Sequence, residues 1–151
     1  MGPWTIERLT GADQVDAVLA IEEASFTNPW TREMYVTELE NKGLAHCVLA
    51  KDGIEPVGFC SFWRIVDELH INNLAVAPGR RRQGIGSALL RHVLREGTRT
   101  GAARATLEVR ESNEAARKLY AARGFGEVAR RAKYYRHPVE DALVLRLAMQ
   151  R

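Results

Sequence analysis

Apolar positions along this chain recur with two different spacings, and each stretch of constant spacing predicts one element. Val15, Val18, Leu19, Ile21 and Ala24 repeat at near-helical intervals, which predicts a helix over 13–25 with Asp13 as its N-cap. Ahead of it, Trp4, Ile6 and, less regularly, Leu9 predict a short strand. Asn28-Pro29 breaks the chain, and a second helix is expected from Thr31, through Met34, Tyr35, Glu38 and Leu39, to about Gly43. Strands are expected over 45–50 and 57–65, joined by a hairpin at Asp52-Gly53, and a third over 68–76.

The second half continues the alternation. Ile85, Leu89, Val93 and Leu94 form an apolar stripe on a helix that opens at Gly84 and stops by Gly101. Ala105, Leu107 and Val109 then alternate with Thr106, Glu108 and Arg110, a strand with one apolar and one polar face. A last helix over 113–123 ends at Gly124 with Phe125 packed behind it, and strands follow near 126–134 and 142–149. The order β-α-α-β-β-β-α-β-α-β-β predicts an α/β fold with a mixed sheet, because hairpins pair strands antiparallel and strand-helix-strand crossovers pair them parallel. No repeat, low-complexity tract or linker divides the chain, so residues 1–151 are expected to form one domain.

Composition narrows the function classes. With 46% hydrophobic and 27% charged residues the chain reads as an ordinary globular protein. The net charge is only +3, and the basic residues, mostly arginine, are scattered among acids, so nucleic acid is not expected as the main partner. Cys47 and Cys60 are too few for a disulfide framework, and His46, His70, His92 and His137 have no metal-ligand spacing with them. The N-terminus lacks the pattern of an export signal and no apolar run is long enough to span a bilayer, so a cytoplasmic protein without a membrane partner is expected.

The strongest chemical signal lies between the strand ending at Val76 and the helix opening at Gly84. There Arg81-Arg82-Gln83-Gly84-Ile85-Gly86-Ser87 brings two close glycines to a helix start. The first turn of a helix leaves about four N–H groups unpartnered and carries roughly half a positive charge, so an anion fits there. Glycines let a phosphate approach the main chain, and Arg80, Arg81 and Arg82 supply charge at the rim. The spacing is not that of a Rossmann turn, since position 89 is Leu89, nor that of a P-loop. A pyrophosphate is the expected guest; a turn whose glycines only relieve crowding is the alternative.

These residues also carry a family pattern. The chain resembles the GNAT superfamily of acyl-CoA-dependent N-acetyltransferases, whose Gln/Arg-x-x-Gly-x-Gly/Ala signature is met by Arg81-Arg82-Gln83-Gly84-Ile85-Gly86. Within it the chain is similar to the RimI type, which modifies the N-terminal alanine of a ribosomal protein. That similarity runs through Ser25-Phe26-Thr27-Asn28-Pro29-Trp30, Asp67-Glu68 with Asn73-Leu74-Ala75-Val76, and Leu107-Glu108-Val109-Arg110 with Ser112-Asn113-Glu114-Ala115-Ala116. It continues in Leu119-Tyr120 with Gly124-Phe125 and in Arg130-Arg131-Ala132-Lys133-Tyr134-Tyr135.

The resemblance implies a GNAT fold: a mixed sheet of about six to seven strands and about four helices, with two strands splayed around acetyl-CoA. It implies cofactor contacts from Leu74, Ala75, Val76, Arg81, Arg82, Gln83, Gly84, Ile85, Gly86, Ser87 and Asn113. Glu108 would be the general base, directly or through water, and Tyr120 the general acid for the departing thiolate. Asn113 and Tyr120 share a helix face, seven residues apart and differing by about 20° in direction, with small Ala116 between them. Trp30, Tyr134 and Tyr135 would line the acceptor cleft, and Glu68 would face the incoming amine. No metal is implied.

Read without the family, the same residues have plainer uses. Asn113 would be a helix cap, Tyr120 a core aromatic, and Glu108 a strand carboxylate paired with Arg110 or Arg104. Trp30 would staple a helix start, and Ser112 would cap the last helix. A glutamate with an ordinary pKa of about 4.3 is a poor base, so burial must raise it or water must relay the proton. Polar His70 and Asn72 stand where close relatives carry an isoleucine-type strand, and are expected to alter the acceptor side. The expected activity is acetyl transfer to a protein N-terminal amine, with a ribosomal protein as partner. A lysine or small-amine acetyltransferase, a CoA-binding module without turnover and an RNA-binding domain are the competitors.

Overall fold

A computed structural model describes residues 4–9, 14–26, 29–41 and 43–149. The order of elements is the one the hydrophobic spacing predicts. Strand β1 (Thr5–Arg8) is followed by α1 (Val15–Ser25), α2 (Arg32–Glu40), β2 (Ala45–Asp52), β3 (Glu55–Ile65) and β4 (Glu68–Val76). After a 3-10 turn at Pro78–Arg80 come α3 (Ile85–Arg99), β5 (Arg104–Arg110), α4 (Glu114–Ala122), β6 (Gly126–Tyr135) and β7 (Glu140–Ala148). Asp13, expected to cap α1, lies outside the described residues. Helix α2 stops at Glu40, short of Gly43, because the Asn41 carbonyl accepts the N–H groups of Leu44 and Ala45 and turns the chain into β2.

Among the described residues seven strands make one sheet in the order β1-β2-β3-β4-β5-β7-β6. All pairs are antiparallel except β4 and β5, which α3 connects as a parallel crossover. That parallel ladder is short. It runs from Glu68 opposite Arg104 to Ile71 opposite Leu107 and stops, while β4 continues along β3 to Val76 and β5 continues along β7 to Arg110. A bulge in β4 coincides with the end of the ladder, since Ser61 pairs Asn73 and Phe62 pairs Ile71, leaving Asn72 as the extra residue. Such an insertion bends a strand, and here β4 bends away from β5.

Both faces of the sheet are covered. Val48, Ala50, Cys60, Phe62, Leu69 and Ile71 pack with the α3 stripe of Ile85, Leu89, Leu90 and Val93 in one core. On the other face Cys47, Leu49, Phe59 and Ala75 pack with Val15, Val18, Ile21 and Tyr35 of α1 and α2. The continuous apolar runs of β2 and β3 follow from this double burial. Each large aliphatic chain so buried contributes about 1.5–3 kcal/mol. Gly58 permits the close seating of α3, for a Cβ there would meet the Ala75 carbonyl oxygen at 3.0 Å and Leu89 Cδ1 at 3.1 Å. No helix of the described residues is long and apolar enough to cross a membrane.

Candidate functional site

A cleft of about 630 Å³ opens where β4 and β5 part. One wall is α4 and the far half of β4, presenting Asn113, Ala116, Tyr120 and Leu74. The floor carries His70, Asn72 and Glu108. The opposite wall combines Glu22 of α1 and Trp30 of the α1–α2 connection with Arg131, Tyr134 and Tyr135 of β6. Residues more than a hundred positions apart thus meet in one cavity.

The expected helix face on α4 is real. Asn113 and Tyr120 both line the cleft, and Asn113 is also the N-cap, its Oδ1 accepting the Ala116 N–H at 3.1 Å. Ser112 is therefore not the cap; its N–H donates to Glu140 Oε2 at 2.5 Å. Tyr120 is 6% exposed and meets Phe125 edge-on at 5.5 Å. Burial, with smaller contributions from Cys60 and Tyr135, pushes its phenol above the usual value of 10, so it stays protonated at neutral pH and gives up its proton less readily than free tyrosine.

The glycine turn borders this wall. Gly84 has φ +89°, a left-handed conformation that glycine adopts without a Cβ penalty, and it starts α3 as N-cap. Arg82 is also left-handed at +65°. Gly86 has no such backbone demand, and a Cβ there would find only ordinary contacts, with Leu119 at 3.5 Å and the cleft-lining Leu74 at 3.6 Å. Crowding within the protein thus explains Gly84 only through its φ and does not explain Gly86. Ile85 points its side chain into the core, so only its main chain is available to a ligand. Two expected rim charges are engaged elsewhere. Arg80 pairs with Asp52 at 2.5 Å and Glu55 at 3.2 Å, and Arg81 donates to the Val76 carbonyl and the Ser25 hydroxyl, each at 3.3 Å. Ser87 accepts from the Arg123 guanidinium at 2.9 Å, which ties α3 to the end of α4.

Glu108 sits differently from either sequence expectation. Arg104 is taken by Asp67 and Glu68, and Arg110 by Glu140, so neither pairs with it. Its partner is His70, whose Nε2 lies 3.1 Å from Oε1 and 3.5 Å from Oε2. This contact holds the Glu108 carboxyl below its usual range despite burial, with smaller help from Arg131. Burial therefore does not raise Glu108, as a direct base would need. The same contact raises His70 above 6.5, against its own burial. Glu68 pairs with Arg104 at 2.9 Å at the start of β4 and is not among the residues lining the cleft.

Trp30, Tyr134 and Tyr135 line the same cavity. Tyr134 and Tyr135 meet edge-on at 5.1 Å, and the Arg110 guanidinium lies 4.4 Å from the Tyr135 ring centre. Burial pushes the Tyr135 phenol up to about 12. Beneath Trp30 lies a cluster that sequence reasoning missed. Glu22, 1% exposed, accepts from the Tyr35 hydroxyl, from the Trp30 N–H at 3.2 Å and from Asn73 Nδ2 at 3.2 Å. Burial raises its carboxyl above the ordinary range while these three donors pull it back. The one available signal was a glutamate at a helix position flanked by Ile21 on an apolar face.

Parted parallel strands, a glycine turn opening a helix, and a tyrosine and a carboxylate across the gap define a class, and comparison with known proteins agrees. The acetyltransferase (GNAT) family model matches residues 15–125, and the chain belongs to that family. It is 35% identical over 147 residues to the ribosomal protein bS18-alanine N-acetyltransferase of Escherichia coli (strain K12), covering 95% of this chain and 96% of that protein. A Bacillus subtilis (strain 168) protein provisionally named for the same activity is 37% identical over 134 residues, 88% of each chain. The crystal structure of the Escherichia coli ribosomal-protein-S18-alanine N-acetyltransferase superposes with a TM-score of 0.91 at 31% identity, covering 98% of this chain and 95% of that one.

Proposed function

We propose that the chain transfers the acetyl group of acetyl-CoA to the N-terminal α-amine of a protein, with a ribosomal protein beginning in alanine as acceptor, in the cytoplasm. The cleft at the parting of β4 and β5 carries the reading, because it brings Glu108 and Tyr120 to one cavity from two elements. The names of relatives at 35% and 37% identity support the acceptor. Gly86, which neither a positive φ nor a clash requires to be glycine, fits a pyrophosphate on the main chain of residues 82–87, and Leu74, Ala75 and Val76 have main-chain groups no longer paired to β5 that suit an extended pantetheine arm. Asn113 and Ala116 would flank that arm.

The acetyl thioester supplies the activated carbonyl. Glu108 draws a proton from the α-ammonium, directly or through water, without being its resting place; the freed nitrogen attacks the carbonyl carbon, the C–N bond forms and the C–S bond breaks. Tyr120 protonates the departing sulfur and recovers its hydrogen from the new amide nitrogen. Trp30, Tyr134 and Tyr135 hold the first residues of the acceptor. An α-amine, with a pKa of about 7.7–8.0 against about 10.4 for lysine, needs little help to lose its proton near neutral pH.

Incubation with acetyl-CoA and a peptide series, read by mass spectrometry, tests this. Alanine-starting peptides gain one acetyl group at the α-amine. Modification of internal lysines alone would instead favour a lysine acetyltransferase, and binding without product a regulatory module.

A further inference from the structure

We propose that His70 is the proton store behind Glu108: the carboxylate takes the proton of the incoming α-ammonium and passes it to Nε2 of the imidazole, whose tautomer Asn72 sets. The inference deepens the acetyl-transfer reading and rests on it. Its basis is the pattern of donors and acceptors. Nε2 faces the two Glu108 oxygens at 3.1 and 3.5 Å, and Nδ1 lies 2.9 Å from Asn72 Oδ1. An ionised carboxylate and an amide oxygen only accept, so each ring nitrogen donates when the pair is full. In the neutral tautomer that keeps its proton at Nδ1, held by Asn72 Oδ1, the vacancy at Nε2 faces Glu108.

Placement supports the same role. His70 stands opposite Thr106, one step before the last β4–β5 pair, so the His70–Glu108 contact bridges the two strands where they separate, and both side chains line the cleft. The bulge at Asn72 bends β4 at this point, so the residue that sets the tautomer is also the one that the parting of the strands displaces. The His70 ring stacks on Trp63 of β3, with centroids 5.7 Å apart at 30°. The charges facing the pair are Glu68 on β4, Glu108 on β5 and Arg131 on β6, which acts through Glu108. Their balance raises His70 toward the α-amine and lowers Glu108 away from it. Proton transfer is most effective between groups of similar pKa, which makes the imidazole the better resting place and the carboxylate the conduit.

The balance closes over one turnover. The ammonium loses two protons. One passes through Glu108 to His70 and then to water, and the second replaces the proton that Tyr120 gave to sulfur. His70 acts through Glu108, so it is a positioning and relay residue.

The test is the pH profile of kcat at saturating acetyl-CoA and alanine-starting peptide, together with the ring 15N resonances of His70 in the free protein. For the unaltered protein kcat rises with pH through an inflection above 6.5, and the His70 ring titrates at the same place. His70→Gln lowers kcat at pH 7.5 about tenfold and removes the inflection. Asn72→Asp, which adds a second carboxylate at Nδ1, moves both the inflection and the ring titration to higher pH; Glu108→Gln moves the ring titration down. An active protein whose His70→Gln variant keeps both rate and inflection, or whose ring titration ignores Asn72→Asp and Glu108→Gln, rejects the relay alone. A protein that acetylates no peptide at any pH rejects the function itself.

Discussion

The two walls of the cleft are made of different material. The wall of β4, the glycine turn and α4 works through main chain and small residues: Gly84 by its left-handed φ, Gly86 packed against Leu74, Val76 and Leu119, and Ala116 beside Asn113. The floor and the opposite wall work through long-range side-chain contacts. Glu22 reaches Asn73, 51 positions away, and His70 reaches Glu108, 38 positions away. A group with a fixed shape, such as a pyrophosphate, can be held by backbone N–H groups, whereas a peptide end and its proton need side chains of particular pKa.

Substitutions can break or sharpen this contrast. Glu22→Ala should have the largest effect, since it removes the acceptor of the buried Tyr35 hydroxyl and of the half-buried Trp30 N–H and Asn73 amide, destabilising the fold by about 3 kcal/mol and lowering Tm by about 10 °C. Because burial raises the folded pKa of Glu22, its ionisation is linked to stability with a definite sign. The protein is stabilised, relative to the variant, most below about pH 4.3 and loses that increment as pH rises through the raised folded value. Denaturation melts at several pH values check both statements; a deficit that grows with pH would contradict them.

Tyr120→Phe keeps the packing on Phe125 and removes the hydroxyl, so kcat should fall about 100-fold with Tm nearly unchanged. Steady-state rates decide it, and unchanged turnover would remove the assigned acid. Gly86→Ala separates ligand approach from folding. It should stabilise the helix start by about 0.5 kcal/mol while weakening acetyl-CoA binding about tenfold, measured by calorimetry. Glu68→Gln belongs to neither wall; it should cost less than about 1 kcal/mol, leave the peptide KM as it was and move the kinetic inflection only slightly down in pH, because its partner is Arg104 at the closed end of the ladder and its charge is the weakest of those raising His70. A KM change for peptide in that variant would return Glu68 to the acceptor site.

The first wall was legible in the sequence. The order of elements, the opening of α3 at Gly84 and the shared face of Asn113 and Tyr120 all follow from local periodicity and from glycine positions. The second wall was legible only as aromatic residues. Trp30, Tyr134 and Tyr135 could be named, yet Glu22 and Tyr35 read as ordinary helix positions, and His70 as a departure without a partner. Arg80 and Glu68 show the converse: each was expected near a ligand, and the structure places Arg80 against Asp52 and Glu55 and Glu68 against Arg104.

Sequence alone determined the α/β order, the glycine turn and which residue types could handle acid and base, because a helix, a turn and a strand face are set by neighbours within a few positions. Only the tertiary structure decided where β4 leaves β5, which acid lies beside which base, and therefore which way each pKa moves. Those outcomes depend on contacts between strands and helices far apart in the chain, and on the solvent that such contacts exclude.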